Sequence, residues 1–477
     1  MLFNSIEFAI FLPIVFLLYW FVFNKNHKLQ NLFVVVVSYI FYGWWDWRFL
    51  FLIAFTSACS FAAGLLIDRF RENQRKARAI NALNIIINLL ILCVFKYYDF
   101  FASSFADLFL GGKDDGLLLH LILPVGISFY TFQALSYSID VYKGKLEPTR
   151  DVVQFFAFVS FFPQLVAGPI ERATNLLPQF AKSRSFDYEA GVDGLRQILW
   201  GLFKKMVVAD NCAVYVDKVF STYQTQSGST LLLAAFFFAF QIYGDFSGYS
   251  DIAIGTAKLF GIKLMRNFNV PYFSRDIAEF WRKWHISLTT WFRDYVYIPL
   301  GGSRCSKAKI IRNTFVIFLL SGFWHGANWT FIAWGTYHSL LFLPLILMGK
   351  NRKYLNIVSQ KRLFPSVKEI WQMCLTFFLV TIGWIVFRAE SISQAISVLT
   401  HIINHSLFTI PFMYVGTKKT IFFVLLMIVV EWLFRGRSFA LDFGLVPKWI
   451  PIVTSYVLIL VILEFAAHSQ SFIYFQF

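Results

Sequence analysis

Residues 314–348 read TFVIFLLSGFWHGANWTFIAWGTYHSLLFLPLILM, and the run contains no aspartate, glutamate, lysine or arginine. One bilayer crossing needs roughly 20 apolar residues, so this stretch is long enough to cross twice. The run therefore predicts helices whose solvent is lipid.

Working outward, similar runs recur near 4–23, 31–47, 49–67, 79–99, 117–139, 151–170, 194–215, 229–257, 370–387, 419–434 and 449–467. The fold class expected is an all-α polytopic integral membrane protein with roughly ten to thirteen transmembrane helices. Composition agrees, because 58% of the 477 residues are hydrophobic and only 15% are charged, against about a quarter in soluble domains. The first run has no basic segment before it and no small-residue cleavage site after it, so it is expected to be retained rather than removed as a signal peptide. No internal repeat, low-complexity stretch or long linker divides the chain, and residues 1–477 are read as one integral membrane domain.

The net charge of +16 does not point to nucleic acid. Its cations sit in short loops between apolar runs: Arg69, Arg71, Arg75, Lys76 and Arg78; Lys143, Lys145 and Arg150; Arg304, Lys307, Lys309 and Arg312; Lys350, Arg352, Lys353, Lys361 and Arg362. Loops of this kind face the cytoplasm and its anionic lipid headgroups. The five cysteines are scattered and suggest neither a disulfide framework nor a Cys-x-x-Cys metal site.

From about residue 120 to 340 the spans change character. Polar and ionisable residues appear at membrane depth together with Pro124, Gly126, Pro163, Gly168, Pro169, Gly244 and Gly248. Such groups face a bundle interior or a cavity, and Pro and Gly at this density suggest broken segments lining it. Chemistry is expected here.

The sequence lacks a nucleotide-binding P-loop, a G-x-S-x-G elbow, an H-E-x-x-H pair and a dinucleotide fingerprint, and with them the corresponding chemistries. No histidine is followed by aspartate five residues on, the mark of soluble-type acyltransferases. What remains is His325. On a continuous helix Ser321, His325 and Asn328 would share a face, with Trp324, Trp329 and Trp334 packed around it. A buried neutral imidazole can take a proton from an alcohol; it can equally be a structural histidine bonding between helices.

A second cluster runs from Ser274 to Gly302 and interleaves aromatic residues with cations. In it His285 can position or deprotonate a substrate, and Arg282 and Arg293 can hold phosphate or carboxylate; a headgroup-binding surface helix is the plainer reading. The third cluster, Gln241 to Asp251, places Asp245, Ser247 and Asp251 in an apolar run, where the carboxylates are expected to pair with cations of the second cluster and frame the cavity, or equally to form a purely structural ion pair. His401 and His405 have a metal-compatible spacing without an obvious third ligand, so no metal is expected. Cys305, beside a basic loop, is either an ordinary cysteine or a palmitoylation site.

Taken in order, Leu123 to Gln133, Ala167-Gly168-Pro169-Ile170, Asp245 to Asp251, Phe280 to Leu288, Arg293 to Gly302 and Phe323 to Trp329 resemble the membrane-bound O-acyltransferase family. The likeness is to its bacterial branch of alginate O-acetylation and teichoic acid D-alanylation proteins, and the amino-terminal Met1 to Ser5 and late Val386 to Ala389 extend it over nearly the whole chain. It implies helices around a central funnel or tunnel, with His325 as the catalytic residue, His285 at the family's second and more variable position, and the catalytic core within 120–340. Asn328, Asp245, Ser247, Arg282, Arg293 and Trp324 are the residues expected to bind substrate.

The implied reaction carries acetyl groups from a cytoplasmic thioester, acetyl-CoA or a relative, to hydroxyls of an extracytoplasmic glycan. No tightly bound cofactor is expected. Expected partners are membrane lipid, the acyl donor, a periplasmic or extracellular acyltransferase and the glycan acceptor, with no nucleic acid, and the location is the bacterial cytoplasmic membrane. D-alanyl transfer to teichoic acid and a non-enzymatic lipid or sugar channel or flippase are the competing readings; inward polar residues serve transport as well.

Overall fold

The computed structural model describes residues 1–111, 116–166, 168–444, 446–465, 470, 472 and 473. Ala167 of the resemblance and residues 466 and 467 of the last expected span lie outside these. Among the described residues the regular structure is helical throughout, with no strand. Five helices are long and apolar enough to cross a membrane: Phe49–Arg69, Gln74–Phe109, Gly228–Leu259, Trp329–Leu347 and Val367–Arg388. Ile6–Val22, Ile392–Ile402 and Trp449–Phe465 are shorter apolar helices.

The polarity of the molecule is that of a membrane protein. Ile6, Ile10, Ile14 and Leu17 are all exposed along one helix, as are Ile452, Val453, Tyr456, Leu460 and Leu463 along another, whereas Asn84, Asn88, Gln133 and Ser136 are buried. Exposed apolar faces of this extent are stable only against lipid.

By its contacts the chain divides into two compact units, residues 1–195 with 253–265, and residues 196–252 with 266–477. In the first, polar side chains tie helices together: Asn84 Nδ2 donates to Ser138 Oγ at 2.9 Å, and Asn84 Oδ1 accepts from Ser60 Oγ at 3.3 Å and from Asn88 Nδ2 at 3.0 Å. Buried amides must find partners inside the bundle, and here they link Phe49–Arg69, Gln74–Phe109 and Ile127–Tyr142. Two of the expected spans are broken. The helix in 117–139 starts only at Ile127, after Pro124 and Gly126. The run 151–170 divides at Phe161 into Val152–Ser160 and Phe162–Leu165. Pro163 sits in the first turn of the second piece, where its missing N–H costs nothing, and the Phe162 N–H freed at the break donates to Ser38 Oγ at 3.1 Å.

In the second unit, residues 314–348 do make two helices, Lys307–His325 and Trp329–Leu347, joined by a three-residue turn, Gly326-Ala327-Asn328. They run antiparallel in close contact. A Cβ on Gly322 would lie 2.2 Å from the Phe331 carbonyl oxygen, and one on Gly335 would lie 2.3 Å from that of Phe318. Only glycine permits backbones this close. The 194–215 run forms Tyr188–Leu202, a π-helical stretch Phe203–Ala209 and Asp210–Ser221. The π-helical stretch carries two buried lysines, Lys204 and Lys205.

Candidate active site

His325 is the last residue of its helix and is buried at 4% exposure. Its ring is met edge-on by Trp324, Trp334 and Phe387 at centroid distances of 5.1, 5.2 and 5.3 Å. These come from three helices, the third being Val367–Arg388, so the imidazole is held by packing from several sides. Gly326 makes the turn possible, since a Cβ there would lie 2.1 Å from the Phe331 ring. Ser321 lies one turn before His325 on the same helix and is also buried.

Asn328 does not continue that face. The helix ends at His325, and Asn328 caps the next one, accepting from the Thr330 N–H at 3.0 Å and donating to the Glu390 carbonyl at 3.0 Å. The three-residue alignment expected for a continuous helix therefore holds for Ser321 and His325 only. Asn and Asp favour the cap because their side chains satisfy a first-turn N–H. Trp329, the first residue of that helix, is half exposed.

His285 sits between two short helices, Ile277–Lys283 and Ile286–Phe292, with φ 42° and ψ 55°. That left-handed conformation is uncommon for a non-glycine residue and is held by its surroundings. Asn269 N–H donates to the Lys283 carbonyl at 2.9 Å and Ile286 N–H to the Asn267 carbonyl at 2.8 Å, so residues 267–269 grip the break from outside. The ring is buried among Phe246, Phe268 and Trp324. Trp324 thus touches both histidines, at 5.7 Å from His285 and 5.1 Å from His325.

The other expected residues are engaged elsewhere. Arg282 donates to the carbonyls of Asn351 and Tyr354, both at 2.7 Å, and Arg293 pairs with the adjacent Asp294. Neighbouring Arg275 binds Glu279 and stacks over Tyr354, so this cluster fastens the 351–356 loop. Asp245 pairs with Lys205 at 2.8 Å, and Lys205 also pairs with Asp210 at 2.8 Å. Asp251 pairs with Lys204, with Gln197 donating to its second oxygen. The carboxylates thus take their cations from the π-helical stretch and not, as expected, from 274–302. The reason is proximity in the fold: Lys204 and Lys205 are buried within salt-bridge distance of these carboxylates, whereas Arg275, Arg282, Lys283 and Arg293 are engaged by Glu279, the Asn351 and Tyr354 carbonyls and Asp294. Asp245 further accepts the Ile473 N–H. Ser247 is buried, and its hydroxyl has no hydrogen-bond partner among the described residues.

Sequence reading passed over Asn267, Lys204, Lys205 and His338. The last is fully buried against Trp281 and Trp334, each at 4.9 Å. A histidine 13 residues after His325 in an apolar helix was a signal that could have been used; for Asn267 no local pattern stands out.

Comparison with known proteins follows this geometry. A model of the membrane-bound O-acyltransferase family matches residues 149–387. The chain is 39% identical to "Probable alginate O-acetylase AlgI" of Pseudomonas aeruginosa, over 83% of this chain and 73% of the relative. It is 36% identical to a peptidoglycan O-acetyltransferase of Helicobacter pylori, over 84% and 79%. Against a teichoic acid D-alanyltransferase of Bacillus subtilis the identity is 30%, over 57% and 70%.

Proposed function

The chain belongs to the membrane-bound O-acyltransferase family, and from that premise we propose that it moves acetyl groups from a cytoplasmic thioester, acetyl-CoA or a close relative, to hydroxyls of an extracytoplasmic polysaccharide. The observation that carries the reading is the enclosure of His325 by aromatic rings from three helices, one of which, Trp324, also meets His285. A rigid aromatic box excludes the water that would otherwise hydrolyse a thioester, and an imidazole is the side chain suited to proton transfer near neutral pH.

In this mechanism His325 takes the proton of the acceptor hydroxyl as its oxygen attacks the thioester carbonyl. The new C–O bond forms, the C–S bond breaks, and the proton passes on to the departing thiolate. His285 accepts a hydrogen bond from a second hydroxyl of the acceptor, beside the reacting one, and so aims the reacting oxygen. Asp245, Ser247 and the lysines paired with the aspartates frame the interior in which the two substrates meet, while Arg282 and Arg293 act on the surrounding loops. The whole chain works as one acyltransferase domain in the bacterial cytoplasmic membrane, handing acetyl groups to a periplasmic or extracellular partner that completes transfer to the glycan.

The peptidoglycan and alginate relatives, similar over most of the chain, favour acetate over D-alanine, whose relative matches a shorter part. The test is to delete the gene and measure base-labile acetate and D-alanine on purified envelope glycans. Loss of acetate alone is expected; loss of D-alanine alone hands the acceptor to teichoic acid.

A further inference from the structure

Three hydrogen bonds converge on the amide oxygen of Asn267. The Ser287 backbone N–H donates to Oδ1 at 3.3 Å, the Ser287 hydroxyl donates at 2.9 Å, and His285 Nδ1 lies 3.1 Å away. The amide nitrogen faces the other way, donating to Ser250 Oγ at 3.0 Å. A backbone N–H can only donate, so the atom it meets is the oxygen, and a ring nitrogen facing that oxygen must carry the hydrogen. The tautomer of an imidazole is set by the bond its other nitrogen makes. The Ser287 hydroxyl also lies 3.4 Å from Nδ1, but its hydrogen goes to the nearer Asn267 oxygen at 2.9 Å, and this geometry makes Nδ1 the N–H and leaves the lone pair on Nε2. Nε2 is buried and has no hydrogen-bond partner among the described residues, and the rings around it are Phe246, Phe268 and Trp324.

We infer that Asn267 is a positioning residue for acyl transfer: its amide oxygen holds His285 as the Nδ1–H tautomer and so presents the Nε2 lone pair to a hydroxyl of the acceptor next to the one His325 deprotonates. The same residue fixes the ring's direction, because its backbone carbonyl holds the Ile286 N–H at 2.8 Å, immediately after the left-handed turn at His285. Asn267 touches no reacting atom. It acts only through His285, and the inference rests on the role proposed for that histidine.

Two measurements test it on the full-length protein. The first is nitrogen NMR of the purified, histidine-labelled protein, with the His285 signal assigned by its loss in H285A. The non-protonated nitrogen is expected at Nε2 in the wild type and in N267D, which keeps an acceptor oxygen, with the two tautomers mixed in N267A. A hydrogen on Nε2 in the wild type overturns the inference, whether or not any variant folds.

The second is acetate incorporated into envelope glycan per molecule of protein in a deletion strain. N267A is expected to lose about 10-fold or more, the scale on which outer-shell partners act, and less than about 2-fold further when added to H285A, since residues acting as a unit are not additive. Independent, multiplying losses overturn the positioning role. Full activity of H285A would instead remove the role of His285 itself, an outcome distinct from either result for Asn267.

Discussion

Gly322 packs against the backbone of Phe331 so closely that a single added methyl would lie 2.2 Å from the Phe331 carbonyl oxygen. The obstacle is backbone, which cannot rotate away, and His325 stands three residues beyond it on the same helix. Gly322→Ala should therefore push the two helices apart, at a cost of about 1–3 kcal/mol for overpacking, and displace the imidazole from its aromatic box. Thermal unfolding in detergent and glycan acetate should both fall. An alanine variant with wild-type stability and activity would refute the close crossing.

Replacement of His325 by alanine should lower acetate transfer by at least about 10²-fold, the lower range of what a proton-transferring group contributes, with abundance and membrane insertion nearly unchanged. His285→Ala should cost less. Quantifying base-labile acetate against protein level in the same membranes decides it, and wild-type acetate in the His325 variant would end the catalytic assignment.

Lys205 is buried between Asp210 and Asp245, 2.8 Å from each. Lys205→Met leaves two carboxylates without their cation, and breaking a buried pair in this way costs about 3–5 kcal/mol. Asp245→Asn should be milder, because Lys205 and Asp210 still balance. The order of melting temperatures in detergent, with Lys205→Met lowest, is the check; the reverse order would show that the lysine is not the keystone of this cluster.

The basic segment 68–78, where Phe49–Arg69 gives way to Gln74–Phe109, and the basic loop 350–362 should both be cytoplasmic. Arg75 and Arg352 are exposed and suit single-cysteine labelling in a cysteine-free background. A membrane-impermeant maleimide should react at both positions only after the cells are opened. Reaction at either position in intact cells would reverse that loop's side.

Much of this was legible in the sequence because it depends on local chemistry. The double crossing of 314–348 follows from the length of an uncharged run, and both helices are present. Where reading failed, local pattern was ambiguous. The apolar run 151–170 gave no sign that the break would fall at Phe161, since the bond that rescues its backbone comes from Ser38, more than a hundred residues away in the chain. Asn328 looked like the third member of a helical face, but a polar residue with a short side chain serves equally well as a cap, and only the end of the helix at His325 distinguishes the two.

The sequence by itself determined the solvent and the helical class and singled out two candidate histidines, because bilayer thickness sets how long an apolar run must be and polar groups stand out against it. Tertiary structure alone decided which side chains surround those histidines. Asn267 meets His285 across 18 residues, Phe387 meets His325 across 62, and Lys205 meets Asp245 across 40. Each pairing depends on how helices pack and where they break. In lipid a buried polar group has no water to fall back on, so its partner is whichever side chain the fold brings within reach.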